Sequence, residues 1–186
     1  MIDDRPRLAL AKDLGISLAS LDDLVFLSES AVRASKGEIS VSMHWEAVRK
    51  ALGLQSADMP GFLQQFWLAD DVNWRLLDYI RSLRPRYKVG LLSNAWDDLR
   101  TTLHDRWNID GLFDELIISA EVKLVKPDPR IFHLAVNRLK VQPGETIFID
   151  DISENIDSAR QVGLKGILYQ NFNQVIGEIE GYLVQG

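Results

Sequence analysis

The amino-acid sequence predicts an α/β protein: a Rossmann-like parallel sheet with helices on both faces, preceded by an α-helical region near the N-terminus. Three observations carry this. Beyond about residue 85, short apolar runs of strand length alternate with stretches of helical period, the pattern of parallel strands joined by right-handed crossovers. Those runs, Thr146-Ile147-Phe148-Ile149 among them, are largely apolar without alternation, as strands buried on both faces are. Before residue 85 the apolar residues recur at helical spacing, and no convincing strand is present.

The helical part reads in order. Leu8, Ala11 and Leu14 share a face, with Gly15 as a stop. Ser20 is placed to cap a helix through Leu21, Leu24, Val25, Leu27 and Val32 that ends near Gly37. Ser42 is placed to cap another, carrying Trp45, Val48 and Leu52 and ending at Gly53. Phe62, Leu63, Phe66 and Trp67 mark a fourth helix. Asn73 opens a fifth, in which Trp74, Leu77, Ile80 and Leu83 repeat before Pro85 halts it. The aromatic residues read as core, with a substrate-facing role for one or two tryptophans as the weaker reading. The boundary between this helical region and the α/β region is a change of pattern near residue 85.

In the core, strands are expected at Tyr87 to Leu92, Leu116 to Ser119, Thr146 to Ile149 and Gly166 to Tyr169. Helices are expected at Trp96 to Trp107, Pro129 to Leu139, Glu154 to Val162 and Gln174 to Val184. Asp128 followed by Pro129 is the signature of a capped helix start, and Gly163 of a helix stop.

Composition narrows the function classes. A chain of 186 residues, 46% hydrophobic and 26% charged, has the make-up of an ordinary soluble globular protein. The net charge of -6 argues against nucleic acid or an anionic membrane as the main partner. With no cysteine, disulfides, thiolate metal sites and cysteine nucleophiles are excluded, and the chain suits a reducing, cytoplasmic setting. No run approaches the roughly 20 apolar residues of a membrane span. His44, His104 and His133 stand singly on predicted helices and read as structural or exposed.

The most informative stretch is Ile147-Phe148-Ile149-Asp150-Asp151-Ile152-Ser153-Glu154-Asn155. A strand runs into two adjacent carboxylates at the sheet edge where α/β proteins bind ligands. Their mutual repulsion is relieved by a cation, and a hard, oxygen-seeking ion such as Mg²⁺ is the natural one. The plainer reading is that Asp151 caps the next helix and Glu154 completes a capping box. The first strand ends in Ser93-Asn94, which suits either a helix cap or an anion such as phosphate. After the second strand comes Lys126, whose backbone is restricted by its neighbour Pro127 and the capped helix just beyond, a position from which its charge could offset Asp150 and Asp151.

Taken in series, Leu91-Leu92-Ser93-Asn94, Lys126-Pro127-Asp128-Pro129 and Phe148-Ile149-Asp150-Asp151 with Asn155 resemble the haloacid dehalogenase-like hydrolase superfamily. The helical region resembles the cap of its phosphatase branch related to the amino-terminal domain of soluble epoxide hydrolases, which implies an α-helical cap inserted near the N-terminus at residues 6–72 and an α/β core at 73–186. The resemblance implies that Ser93 and Asn94 hold the phosphoryl group, that Lys126 neutralises nucleophile and phosphate, and that Asp150 and Asp151 position Mg²⁺. It implies a small phosphorylated metabolite as partner, with the cap controlling access.

The family's first motif is a strand ending in Asp-x-Asp, whose first carboxylate attacks phosphorus and whose second is general acid and base. It is absent here: Asp3 and Asp4 are adjacent, and only Met1 and Ile2 precede them. The chain is therefore expected to be inactive or severely impaired, and the sheet to lack a central strand between those ending at Leu92 and Ile149. Three resolutions are open: the flanking strands pair directly, a strand is borrowed from another chain to give a homodimer, or the sequence is a truncated reading of a longer gene, the favoured one. Two other functions stay open, a catalytically silent domain that binds a phosphorylated ligand or a protein, and a 2-haloacid dehalogenase. The latter needs no metal, which the paired carboxylates disfavour.

Overall fold

The computed structural model describes residues 4–84 and 86–184. Met1, Ile2, Asp3 and the expected helix stop Pro85 lie outside them.

Residues up to Leu83 are helical: α1 (Arg5–Asp13), α2 (Leu18–Asp22), a π-helical segment Asp23–Leu27, α3 (Glu29–Ser35), α4 (Val41–Ala51), α5 (Met59–Phe66) and α6 (Trp74–Leu83). Ser17, Ser28, Ser40 and Asn73 cap α2, α3, α4 and α6. The expected caps Ser20 and Ser42 lie inside helices instead. In each case an earlier serine is extended and accepts from the third helical N–H, Ser17 from Ser20 and Ser40 from Met43. The single helix expected from Ser20 to Gly37 is broken at Ser28, whose ψ of 159° leaves helical space. Leu10, Leu21, Val25, Trp45, Val48, Phe62 and Phe66 form this region's own core, on which Trp96 also packs.

The remainder alternates: β1 (Gly90–Ser93), α7 (Leu99–Asp105), β2 (Glu115–Ile118), α8 (Ser119–Val122), α9 (Pro129–Leu139), β3 (Ile147–Asp150), α10 (Ser153–Gln161), β4 (Lys165–Leu168) and α11 (Phe172–Val184). Strand residues alternate between two faces with period two. Leu92, Ile117, Phe148 and Leu168 pack with α9 and α10 on one side. Leu91 and Leu116 on the other side meet residues of α6 and α7, while Ile147, Ile149 and Ile167 meet α6 and α11. Helices cover both faces of an α/β layer, as expected.

The sheet itself is split. β1 pairs in parallel with β2, and β3 in parallel with β4, but among the described residues β1 and β3 do not pair. Direct re-pairing is therefore not what this chain does. The inner strands show the consequence: apart from the buried Phe148, their apolar residues Leu91, Leu92, Ile147 and Ile149 are half-buried, whereas Ile117 and Ile167 on the outer strands are 1% and 0% exposed. In a closed sheet that order is reversed. Among the described residues, no helix is long and apolar enough to cross a membrane.

Candidate active site

All the sequence-selected residues converge on the carboxyl ends of β1 and β3. Lys126 Nζ lies 2.5 Å from Asp150 Oδ2 and 3.1 Å from the Leu92 carbonyl oxygen, so one ammonium joins the ends of the two half-sheets. Both members of the pair are nearly inaccessible, with side chains 9% and 6% exposed. Asp150 Oδ1 accepts from Ile152 N–H at 2.9 Å and from the Asn155 amide at 3.0 Å. Burial alone pushes the Asp150 carboxyl up, but hydrogen bonds from Lys126, Asn155 and Ile152, with the charge of Lys126, outweigh it and hold the group below the usual carboxylate range.

The two neighbouring aspartates are thus not equivalent. Asp150 is committed to Lys126, while Asp151 is exposed and makes no hydrogen bond or ion pair among the described residues. The helix-cap alternative for Asp151 is not realised: the residue before α10 is Ile152, with no side-chain cap, and its N–H is taken by Asp150. Ser93 and Asn94 do not cap α7 either, since Asp98 precedes that helix.

Ser93 is half-buried, and its hydroxyl has no partner among the described residues. Asn94 spends its amide on the chain: Oδ1 accepts from Lys126 N–H at 2.8 Å, and Nδ2 donates to the Lys126 carbonyl at 2.9 Å. One N–H of that amide is left for a ligand. Two serines not singled out in the sequence complete the frame. The fully buried Ser119 exchanges hydrogen bonds of 3.0 and 3.1 Å with the Ala95 backbone, and Ser158 donates to the Pro127 carbonyl at 2.5 Å. Nothing in local sequence pattern marks a serine whose partner lies across the fold. Asp128 caps α9 as expected, with Pro129 at its first position.

The N-terminal helical region is joined to this edge directly. Trp96, three residues past Ser93, donates to Ala31 O at 3.3 Å and lies 4.6 Å from the His44 ring. Asp97 accepts from Val41 N–H at 3.0 Å at the start of α4.

The donor set can be set against Mg²⁺, which binds through one or two carboxylates together with water and phosphate oxygens. A free carboxylate at Asp151, beside an ionised Asp150, matches that chemistry. Among the described residues no group of three or more His, Cys, Asp or Glu side chains gathers to hold a metal, so much of the coordination shell would come from other oxygens.

Comparison with known proteins follows the same line. The family model of haloacid dehalogenase-like hydrolases matches residues 9–163, and the chain belongs to that family. It is 29% identical over 161 residues to bifunctional epoxide hydrolase 2 of Mus musculus, covering 78% of this chain and 29% of that protein. It is 33% identical over 116 residues to D-ribitol-5-phosphate phosphatase of Bacteroides thetaiotaomicron, covering 58% of this chain and 56% of that enzyme. The chain thus spans less than two thirds of the length of these relatives. A HAD family enzyme of Bacteroides thetaiotaomicron, solved with magnesium and inorganic phosphate, has the same fold, with a TM-score of 0.75, 24% identity and 91% and 87% of the two chains covered. A predicted HAD-like hydrolase of Porphyromonas gingivalis aligns with a TM-score of 0.78, 23% identity and 97% and 90% covered.

Proposed function

We propose that this chain carries the helical cap and most of the core of a Mg²⁺-dependent phosphatase acting on small phosphomonoesters. The observation that supports this most is the split pair: Asp150 fixed on Lys126, with Asp151 left free beside it at the sheet edge. Asp151 would be the principal metal carboxylate, with Asp150 contributing mainly by holding the Lys126 ammonium in place. Bound Mg²⁺ would supply positive charge to offset that of the phosphate. The Ser93 hydroxyl and the spare Asn94 N–H would donate to phosphate oxygens, and Lys126 would balance their charge. Residues 6–72 act as the cap that selects what reaches this edge. The relatives that are phosphatases support the class of reaction, and the lack of cysteine suits a cytoplasmic setting.

The 186 residues contain no Asp-x-Asp. In this reading the site binds phosphate and metal without an attacking carboxylate, so the chain by itself turns over negligibly. Isothermal titration with Mg²⁺ and inorganic phosphate tests the binding half of the proposal. Phosphate uptake that needs Mg²⁺ and is lost in Asp151→Asn supports it, and no uptake by the folded chain refutes it.

The split sheet favours a second reading, in which the gap between β1 and β3 is filled by a strand from another copy. The chain would then be an obligate dimer, and a folded monomer in light scattering at micromolar concentration would eliminate this.

A further inference from the structure

We infer that Asn94 and Ser158 are positioning residues for Lys126, fixing its peptide from two separate elements so that its ammonium reaches both half-sheets. The segment from Leu124 to Pro127 lies between α8 and α9 and belongs to no helix or strand. Among the described residues, its backbone hydrogen bonds to the rest of the chain are one from the Asp128 N–H, at the start of α9, to the Val125 carbonyl, and those made by these two side chains. Asn94, at the end of β1, grips Lys126 at both its N–H and its carbonyl. Only a carboxamide donates and accepts at that span, so neither aspartate nor serine can replace both contacts.

Ser158 approaches from α10. A serine inside a helix usually bonds back to the carbonyl one turn earlier. Here the hydroxyl crosses to Pro127 O, and the side chain is buried at 9% exposure. Asn155, which holds Asp150, lies three residues before Ser158 on the same face of α10. One helical turn therefore sets both members of the ion pair, Asp150 directly and Lys126 through its neighbour's carbonyl. The lysine stem is flexible, with four rotatable bonds. Fixing the peptide at one end and Nζ at the other, alongside the Phe148 ring 5.5 Å away, confines it.

The inference concerns the placement of Lys126 and stands apart from the phosphatase reading. Competitive acetylation of the folded chain, read by mass spectrometry as the rate at Lys126 relative to the exposed Lys12, tests it without any turnover. The wild-type ratio should lie far below one. Asn94→Ala and Ser158→Ala should each raise it by up to about tenfold, the scale set by loss of a hydrogen bond. Ser158→Thr, which keeps the hydroxyl, should stay within about twofold of wild type. An unchanged ratio in folded alanine variants would overturn the inference. Should an alanine variant not fold, Asn94→Asp and Ser158→Thr decide: a raised ratio in the first with a wild-type ratio in the second sustains it, and any other pattern overturns it.

Discussion

Lys126 Nζ sits 2.5 Å from Asp150 Oδ2, and that contact joins the loop after β2 to the end of β3 across a sheet that is otherwise in two halves. Because both groups are buried, neither can be removed without stranding the other. Lys126→Met should destabilise the fold by about 3–5 kcal/mol, the usual result of leaving one buried charge unpaired. Asp151→Asn, one residue away but exposed and unpartnered, should change stability by less than about 0.5 kcal/mol. Urea denaturation of the two variants in metal-free buffer checks the contrast, and equal losses would contradict the division of labour between the aspartates.

Acid should act on the same pair. The Asp150 carboxyl is held below its ordinary range, so its contribution is fully present above the unfolded value of about 3.9 and fades as pH falls through the folded value. The stability gap between wild type and Asp150→Asn should hold steady from neutral pH to about 4 and then shrink, since the variant lacks that titration. A gap that closes between pH 7 and 5 would place the titration elsewhere.

His44 carries a separate prediction in the N-terminal helical region. It is fully buried, Nδ1 meets Ser30 Oγ at 2.9 Å, and Nε2 makes no well-formed hydrogen bond among the described residues. Burial pushes its pKa below the ordinary imidazole value, outweighing a smaller upward effect from the Val25 backbone. The unfolded chain therefore binds the proton first: the contribution is full above about 6.5 and is lost as pH falls from there to the folded value. Thermal melts between pH 7.5 and 5 should show a decline in wild type that His44→Gln lacks. Parallel curves would contradict it.

Gly37 tests the joint between the N-terminal helical region and the α/β region. A Cβ there would overlap the Ala120 carbonyl oxygen, and the residue has φ +66°. Gly53 has nearly the same φ, +67°, with open space around it. Gly53→Ala should lower stability by about 1–2 kcal/mol from backbone conformation alone, and Gly37→Ala by clearly more, because backbone must also move. Equal melting temperatures would mean the close approach has no weight.

Much of this was legible in sequence because it rests on local chemistry. The strand-into-carboxylate run at Ile147–Asp150, the Asp128-Pro129 helix start and the Asn73 cap depend on neighbours a few residues away, and each lies where the pattern puts it. The cap serines were misplaced because Ser17 with Ser20, and Ser40 with Ser42, offer two caps within one turn, and backbone angles choose between them. The frame around Lys126 was illegible for a different reason. Asn94 and Lys126 are 32 positions apart, and Ser158 and Pro127 are 31 apart. The sequence also could not separate Asp150 from Asp151, since only packing decides which carboxylate faces Lys126.

The most direct test of the account compares Mg²⁺-dependent hydrolysis of a generic phosphomonoester by this 186-residue chain and by the same chain extended at its N-terminus with an apolar strand ending in Asp-x-Asp. Negligible turnover by the first, with activity in the second that is lost on Asp151→Asn, is the result expected. Robust turnover by the unextended chain, or none by a folded extended chain, would contradict it.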